Sequence, residues 1–338
     1  MNILILHSSS GLYGSSKVLL CFSTAFRKKG HVLTVVLSEQ GPLSDELQAM
    51  GIPVKIIRLG IIRKKYYSLP GLLNRSYTLC KAFLSLRKLI REEKIDLIYS
   101  NTMAVLIGAF TAKMTRKKHI WHIHETIERP VFMFSFLGWM VSHFSHKAVV
   151  VSVSVYDHWK KKIPADNLIT IHNGFDYSAF DAEPSGLRNE LAIDSDSLVI
   201  GTVGRIHYLK GQDYFLRIAG FLHARYPGLK FLIVGDAFEG YEYLYDKLAA
   251  IAKELNIEKS VYTLGFRSDI ANIYKAIDIF VLPSTLADSF PTVILEAMAS
   301  GVPVVATRQG GAVETIEDGK SGILIPINEP EKAAAIID

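Results

Sequence analysis

The 338-residue chain has only two cysteines, Cys21 and Cys80. Two thiols cannot build a disulfide framework, and neither has the C-x-x-C spacing of a redox or zinc site. No apolar run reaches the roughly 18–20 residues that cross a bilayer. No basic, then apolar, then small-residue segment opens the chain as a cleaved secretory leader would. A reduced, cytoplasmic protein is the expectation. No G-x-S-x-G, H-E-x-x-H or G-x-G-x-x-G string occurs, so serine-hydrolase triads, zincins and nicotinamide-dinucleotide enzymes have no support. What is present is ordinary for a globular protein: 49% hydrophobic and 21% charged residues. That balance excludes wholesale disorder, and the length suits about two domains.

The net charge of +5 hides an asymmetry. Residues 1–187 carry 24 Lys+Arg against 13 Asp+Glu, and residues 188–338 carry 14 against 20. A basic half beside an acidic half implies different partners for each. Short β-branched runs alternate with amphipathic stretches along both halves. The pattern predicts strands at 2–6, 32–37, 54–58, 97–99, 119–123 and 148–151, then at 198–203, 230–234, 261–264, 279–282 and 304–306. Helices are predicted at 15–29, 212–226, 241–255, 270–276 and 291–300. Strands apolar throughout favour a parallel sheet covered on both faces. Two Rossmann-like domains in series follow, 1–184 and 185–338, joined near the Pro-containing 181–185. Residues 330–338 look like the start of a helix, so a chain that stops there is either truncated or short.

In open α/β sheets ligands bind at the carboxyl ends of strands, and glycine loops fall at several such ends. After the first strand, Gly11, Gly14 and Ser15 form either a tight turn or an anion-binding helix start. In the second half, Gly204 and Arg205 are followed by Lys210 and Gly211. The Arg205 guanidinium can fork two phosphate oxygens, while Lys210 acts as a point charge. The stretch from Pro283 to Pro303 is the richest. Pro291 suits the first turn of a helix that Ser289 would cap, leaving the N–H groups of Thr292 and Val293 at the positive helix end. Asp288 and Glu296 flank that start, suited to two hydroxylated groups of one ligand; otherwise Asp288 caps and Glu296 faces water. His122 and His124 alternate onto one strand face, either as a buried structural pair or as part of a metal site lacking evident further ligands.

These residues resemble the GT-B glycosyltransferases of the retaining, nucleotide-sugar-dependent family 4 (glycosyltransferase group 1). The resemblance is strongest over 199–326, in GRIHYLKG, LIVGD, LGFRSDI, PSTLADSFPTVILEAMASGVPVVAT and GGAVETIEDGKSGILIP. Weaker matches are the 11–16 loop, WHIHE and HNGFD. It implies a GT-B fold, two Rossmann-like domains facing a central cleft, with an acceptor-binding first domain and a donor-binding second. It implies that Arg205 and Lys210 bind the donor diphosphate, that Glu296 holds the ribose, and that Asp288 contacts the sugar where the family usually has Glu. His124 would lie near the anomeric carbon, and Gly11, Gly14 and Ser15 near the diphosphate or acceptor. Gly204, Gly235, Phe266, Arg267, Ser289, Phe290, Pro291, Thr292 and Val293 complete the implied donor site. Catalytic roles fall to His124, Arg205, Lys210 and Asp288, with no metal and no cofactor beyond a UDP- or GDP-sugar substrate.

The implied reaction moves a sugar to a glycan or lipid-linked acceptor in cell-surface polysaccharide or glycolipid synthesis. A non-catalytic sugar-nucleotide-binding protein and a sugar-nucleotide epimerase are the alternatives. Basic clusters at 58–67, 116–118 and 160–162 beside the apolar 131–144 suit an anionic membrane surface at the inner face; otherwise 131–144 is a buried helix and the lysines a solvated face. No nucleic-acid recognition module is readable.

Overall fold

The computed structural model describes every residue except 62–68, 128, 182–185 and 238–239. The chain divides into two units, Met1–Phe175 and Asp176–Asp338. The expected division between 184 and 185 touches residues outside that description, as does most of the basic cluster at 58–67.

In the first unit seven strands form one sheet: β1 (Asn2–His7), β2 (Val32–Leu37), β3 (Val54–Ile56), β4 (Leu97–Asn101), β5 (Lys118–Ile123), β6 (Lys147–Val150) and β7 (Leu168–Thr170). Their order is β3-β2-β1-β4-β5-β6-β7, parallel throughout. Between them run α1 (Gly14–Lys28), α2 (Pro42–Ala49), α3 (Leu69–Glu92), α4 (Leu106–Thr115), α5 (Val131–Phe144) and α6 (Val153–Trp159). Strand alternation explains why these strands are apolar on both sides. Leu4, Leu6, Val36 and Ile98 bury against Leu86 and Ile90 of α3 and Ile107 of α4. Ile3, Ile5, Val35 and Leu37 bury against Leu19 of α1 and Leu43 and Leu47 of α2.

The second unit repeats the plan. Strands β8 (Val199–Val203), β9 (Lys230–Val234), β10 (Val261–Leu264), β11 (Ile279–Leu282), β12 (Val304–Thr307) and β13 (Ile323–Ile325) are ordered β10-β9-β8-β11-β12-β13, again parallel. The helices are α7 (Leu187–Glu190), α8 (Gln212–Arg225), α9 (Tyr243–Glu254), α10 (Ile270–Lys275), α11 (Thr292–Ala299), α12 (Ala312–Thr315) and α13 (Pro330–Ile337). Ile218 and Leu222 of α8 share one core with Phe231, Ile233, Val281 and Ala333. Both sheets reverse direction of growth once, between β1 and β4 and between β8 and β11. Such switch points open a crevice at the strands' carboxyl ends.

One local expectation is corrected. Pro291 is the N-cap of α11 rather than its first helical residue, and no side chain caps that helix. Pro291 itself has φ −74° and ψ 104°, extended rather than helical, so α11 begins only after it and Ser289 lies two positions before the N-cap.

Candidate active site

In the second unit three loops interlock at the switch point. Gly204 and Gly235 end β8 and β9 with φ of +152° and +142°. A Cβ on Gly235 would lie 1.9 Å from the Gly204 carbonyl oxygen, so this approach demands glycine. The loop after β8 is bound to the loop after β11: the Thr285 N–H donates to the Leu209 carbonyl at 3.0 Å, and Thr285 Oγ1 donates to the Tyr208 carbonyl at 3.0 Å. Gly211, at φ +72°, leaves room for the Pro283 carbonyl. The loop after β12 joins them through the Gly311 N–H, which donates to the Asp288 carbonyl at 2.8 Å.

This scaffold brings the predicted residues together. Lys210 Nζ forms an ion pair with Asp288 Oδ2. Glu296, 2% exposed, lies one turn into α11, and the Tyr274 hydroxyl donates to its Oε2 at 3.3 Å and to the Val293 carbonyl at 3.2 Å. Burial, then the Glu296 charge, pushes the Tyr274 hydroxyl well above its usual range. Glu296 therefore does not face water, and Asp288 does not cap the helix. Thr292 and Val293 occupy the first turn of α11, where N–H groups have no intrahelical acceptor. Arg205 follows Gly204, with its carbonyl held by Gln212 Nε2 at 3.0 Å. Phe266 is half exposed. Arg267 is spoken for: its guanidinium forks Asp269 at 2.9 and 2.8 Å and Glu190 at 2.8 and 3.3 Å.

In the first unit the switch point holds a buried polar chain. His7 closes β1, with Nε2 3.0 Å from Ser16 Oγ and Nδ1 3.0 Å from Asn101 Nδ2. Asn101 closes β4, and its Oδ1 is 2.8 Å from His124 Nε2. The His124 ring stacks on His122 with centroids 4.1 Å apart, and His122 Nδ1 is 3.0 Å from the Tyr99 hydroxyl. The backbone N–H groups of Met103 and His124 both donate to Glu125 Oε2 at 3.1 Å. Thr102, next to Asn101, has φ +97°, a strained conformation for a β-branched residue. Helix α1 starts at Gly14 with no side-chain cap, so Gly14 and Ser15 offer first-turn N–H groups beside this chain.

Burial sets the protonation of this cluster. It lowers His7 to about 4, against a smaller opposing hydrogen bond to the Asn101 backbone carbonyl. It lowers His122 to about 3, helped by His7, and holds His124 well below the usual imidazole range, helped by His122 and His7. It raises Glu125 to about 7 despite the hydrogen bonds it accepts. Neutral imidazoles are therefore the working forms near pH 7. Among the described residues no group of three or more His, Cys, Asp or Glu is placed to hold a metal.

Comparison with known proteins identifies the family. The model for glycosyltransferase family 4 matches residues 13–179, and that for glycosyl transferases group 1 matches residues 186–338. The chain belongs to the GT-B glycosyltransferases of group 1 and family 4. This glycosyltransferase is 27% identical over 318 residues to the Escherichia coli UDP-Gal:alpha-D-GlcNAc-diphosphoundecaprenol alpha-1,3-galactosyltransferase, covering 88% of this chain and 76% of that one. It is 39% identical over 148 residues to the D-inositol 3-phosphate glycosyltransferase of Corynebacterium jeikeium, where the match covers 42% of this chain and only 35% of that relative. Among solved structures, HepE of Anabaena in complex with UDP and glucose superposes with a TM-score of 0.86 at 27% identity, covering 99% of this chain and 88% of that one.

Four members of the glycosyltransferase's polar clusters escape a motif reading: His7, Tyr99, Asn101 and Tyr274. A signal for His7 and Asn101 exists, since each is a polar residue at the carboxyl end of a buried strand. Tyr274 carries none, because an aromatic on a short helix reads as core.

Proposed function

We propose that the enzyme transfers a hexose from a nucleoside diphosphate sugar, a UDP-sugar in the first instance, to a glycan or lipid-linked acceptor, with retention of anomeric configuration. The observation that carries this reading is the second unit's switch point, where Arg205, Lys210, the start of α11 and the buried Glu296 are gathered on interlocked loops. The names of the relatives support it: the Escherichia coli enzyme uses UDP-Gal and a diphosphoundecaprenol-linked acceptor, and HepE is solved in complex with UDP-glucose.

In this reading Glu296 accepts the ribose hydroxyls, and Arg205, Lys210 and the N–H groups of Thr292 and Val293 surround the diphosphate. The bond from the anomeric carbon to the diphosphate oxygen breaks, and that oxygen keeps the electron pair. The acceptor hydroxyl bonds to the same face of the sugar, and its proton passes to the departing phosphate oxygen. Fixed positive groups aimed at the growing negative charge lower the barrier. The chain's own cations thus carry the role that a bound metal plays elsewhere. Asp288 and His124 contact the sugar hydroxyls, and Gly11, Gly14 and Ser15 approach the diphosphate or acceptor.

A lipid-linked acceptor lies at a membrane, and the first unit has a surface suited to one. No helix among the described residues is long and apolar enough to cross a bilayer. Yet α5 exposes Phe132, Phe136 and Trp139 at helical spacing, and α4 beside it exposes Phe110 and Met114. Lys162 packs over Phe134 of α5 at 5.7 Å. An apolar face rimmed by lysine and arginine fits an anionic lipid surface, and we place the enzyme at the cytoplasmic face on that ground.

The decisive test is a donor screen. UDP-, GDP- and ADP-sugars are assayed for hydrolysis and for thermal stabilisation, alongside an Arg205→Ala, Lys210→Ala double variant. The expected result is turnover of a UDP-sugar that the double variant loses. Wild-type turnover in the double variant would sink the assignment, and binding without turnover would favour a sugar-nucleotide-binding role.

A further inference from the structure

Asn101 sits between two groups that fix its orientation. Its Nδ2 lies 3.1 Å from the Ser15 backbone carbonyl oxygen and its Oδ1 2.8 Å from His124 Nε2. A carbonyl oxygen only accepts, so the amide nitrogen must face Ser15 and the amide oxygen must face His124. An amide oxygen also only accepts, so His124 Nε2 must carry the hydrogen. The second amide hydrogen lies toward His7 Nδ1 at 3.0 Å, a nitrogen that also lies 3.2 Å from the Asn101 backbone carbonyl oxygen, while His7 Nε2 is 3.0 Å from Ser16 Oγ. The chain also ties the glycine loop, through Ser15 and Ser16, to the histidine past β5.

His124 is kept from taking a second proton by its burial and by the neighbouring His122 and His7. Its Nδ1 is then the bare nitrogen, and no hydrogen bond among the described residues occupies it. We propose that Asn101 is a positioning residue that locks His124 in the Nε2–H tautomer, so that Nδ1 accepts a hydrogen bond from a hydroxyl of the bound donor sugar. The second half of this statement rests on the donor reading above; the first half does not. The opposite tautomer would turn a donor toward the sugar and leave two acceptors, Nε2 and the amide oxygen, facing each other 2.8 Å apart.

The test reads the tautomer directly. Full-length protein labelled with 15N-histidine is studied by long-range 1H–15N correlation near pH 7.5, and the His124 signals are assigned by their loss in His124→Gln. The expected wild-type pattern is a single Nε2–H tautomer. In Asn101→Ala that pattern gives way to a tautomer mixture, and kcat with the active nucleotide sugar falls roughly ten- to hundredfold, a usual cost of removing the partner that orients a working histidine, with donor KM unchanged. An Nδ1–H or doubly protonated His124 in the wild type overturns the proposal, even if the variant fails to fold. So does Asn101→Ala that keeps both the tautomer and the wild-type kcat. A wild type that turns over no nucleotide sugar overturns the donor reading and its sugar contact, while the tautomer still decides the role of Asn101.

Discussion

Asp288 and Glu296, the two carboxylates of the proposed donor site, hold different partners, and that difference predicts different phenotypes. Glu296 is buried, and its Oε2 accepts a long hydrogen bond from the Tyr274 hydroxyl at 3.3 Å; in the proposed reading its carboxylate holds the ribose. Glu296→Gln keeps the shape and removes the charge. A hydrogen bond to a charged group contributes about 1.5–3 kcal/mol, so donor KM should rise roughly ten- to hundredfold, measured by donor saturation, with the melting temperature nearly unchanged. Asp288 instead neutralises Lys210 before any ligand arrives. A diphosphate must compete for that lysine. Asp288→Asn releases it, and UDP should bind more tightly by calorimetry while sugar transfer falls; the gain is bounded by the roughly 0.2–1 kcal/mol of a partly exposed ion pair, at most about fivefold. Weaker UDP binding in this variant would contradict the competition. The motif residues of this site were legible because Arg205 to Gly211 and Pro283 to Glu296 are contiguous stretches. The His7–Asn101–His124 chain was not, because its bonded members lie 94 and 23 positions apart in sequence and meet only once the strand order is known.

The interior strands were read closely because their residues are apolar on both faces, whereas of the first unit's helices only α1 was given bounds outright. The three-residue β7 and β13 were missed, being the last strands at one edge of each sheet, where a run is short and one side is uncovered. Loop packing was legible only as glycine content, and the structure shows which glycine matters. Gly211→Ala would put a Cβ 2.0 Å from the Pro283 carbonyl oxygen at a left-handed φ, forcing the loops after β8 and β11 apart. About 1–3 kcal/mol should be lost, measured by denaturant unfolding, together with much of the donor turnover, since Lys210 rides on that loop. Helix α5 predicts a separable phenotype. Phe132→Ser with Trp139→Ser removes exposed apolar area far from the glycine loops in sequence. Binding to phosphatidylglycerol vesicles at low salt should drop, while turnover of a soluble donor stays at the wild-type level; equal vesicle binding would remove α5 from the membrane surface.

Across the whole molecule, buried titratable groups are concentrated in the first unit, and so is every tryptophan: Trp121, Trp139 and Trp159. His7, His119 and His122 are lowered to about 4, 3 and 3, mainly by burial. Unfolded histidine titrates near its ordinary 6.5. Between those values the unfolded chain binds more protons than the folded unit, so stability is full above about 6.5 and is lost as pH falls toward 4. Glu125, raised to about 7, works in the opposite sense, because its folded form takes up a proton first and gains stability as pH drops toward the ordinary carboxylate range. One carboxyl does not offset three imidazoles with shifts as large. In the second unit His207, partly exposed, is lowered by desolvation and by Arg205 and Lys210, a weaker source of acid sensitivity. The first unit should therefore unfold before the second on acidification. Tryptophan fluorescence reads only the first unit, whereas far-ultraviolet circular dichroism reads both. Between pH 6.5 and 4 the fluorescence transition should lead the dichroism transition, and the lead should shrink in His119→Asn, which removes one buried imidazole while keeping a polar group beside Ser100 and Ser145. Coincident transitions throughout that range would show that the buried histidines do not set the acid stability of this unit.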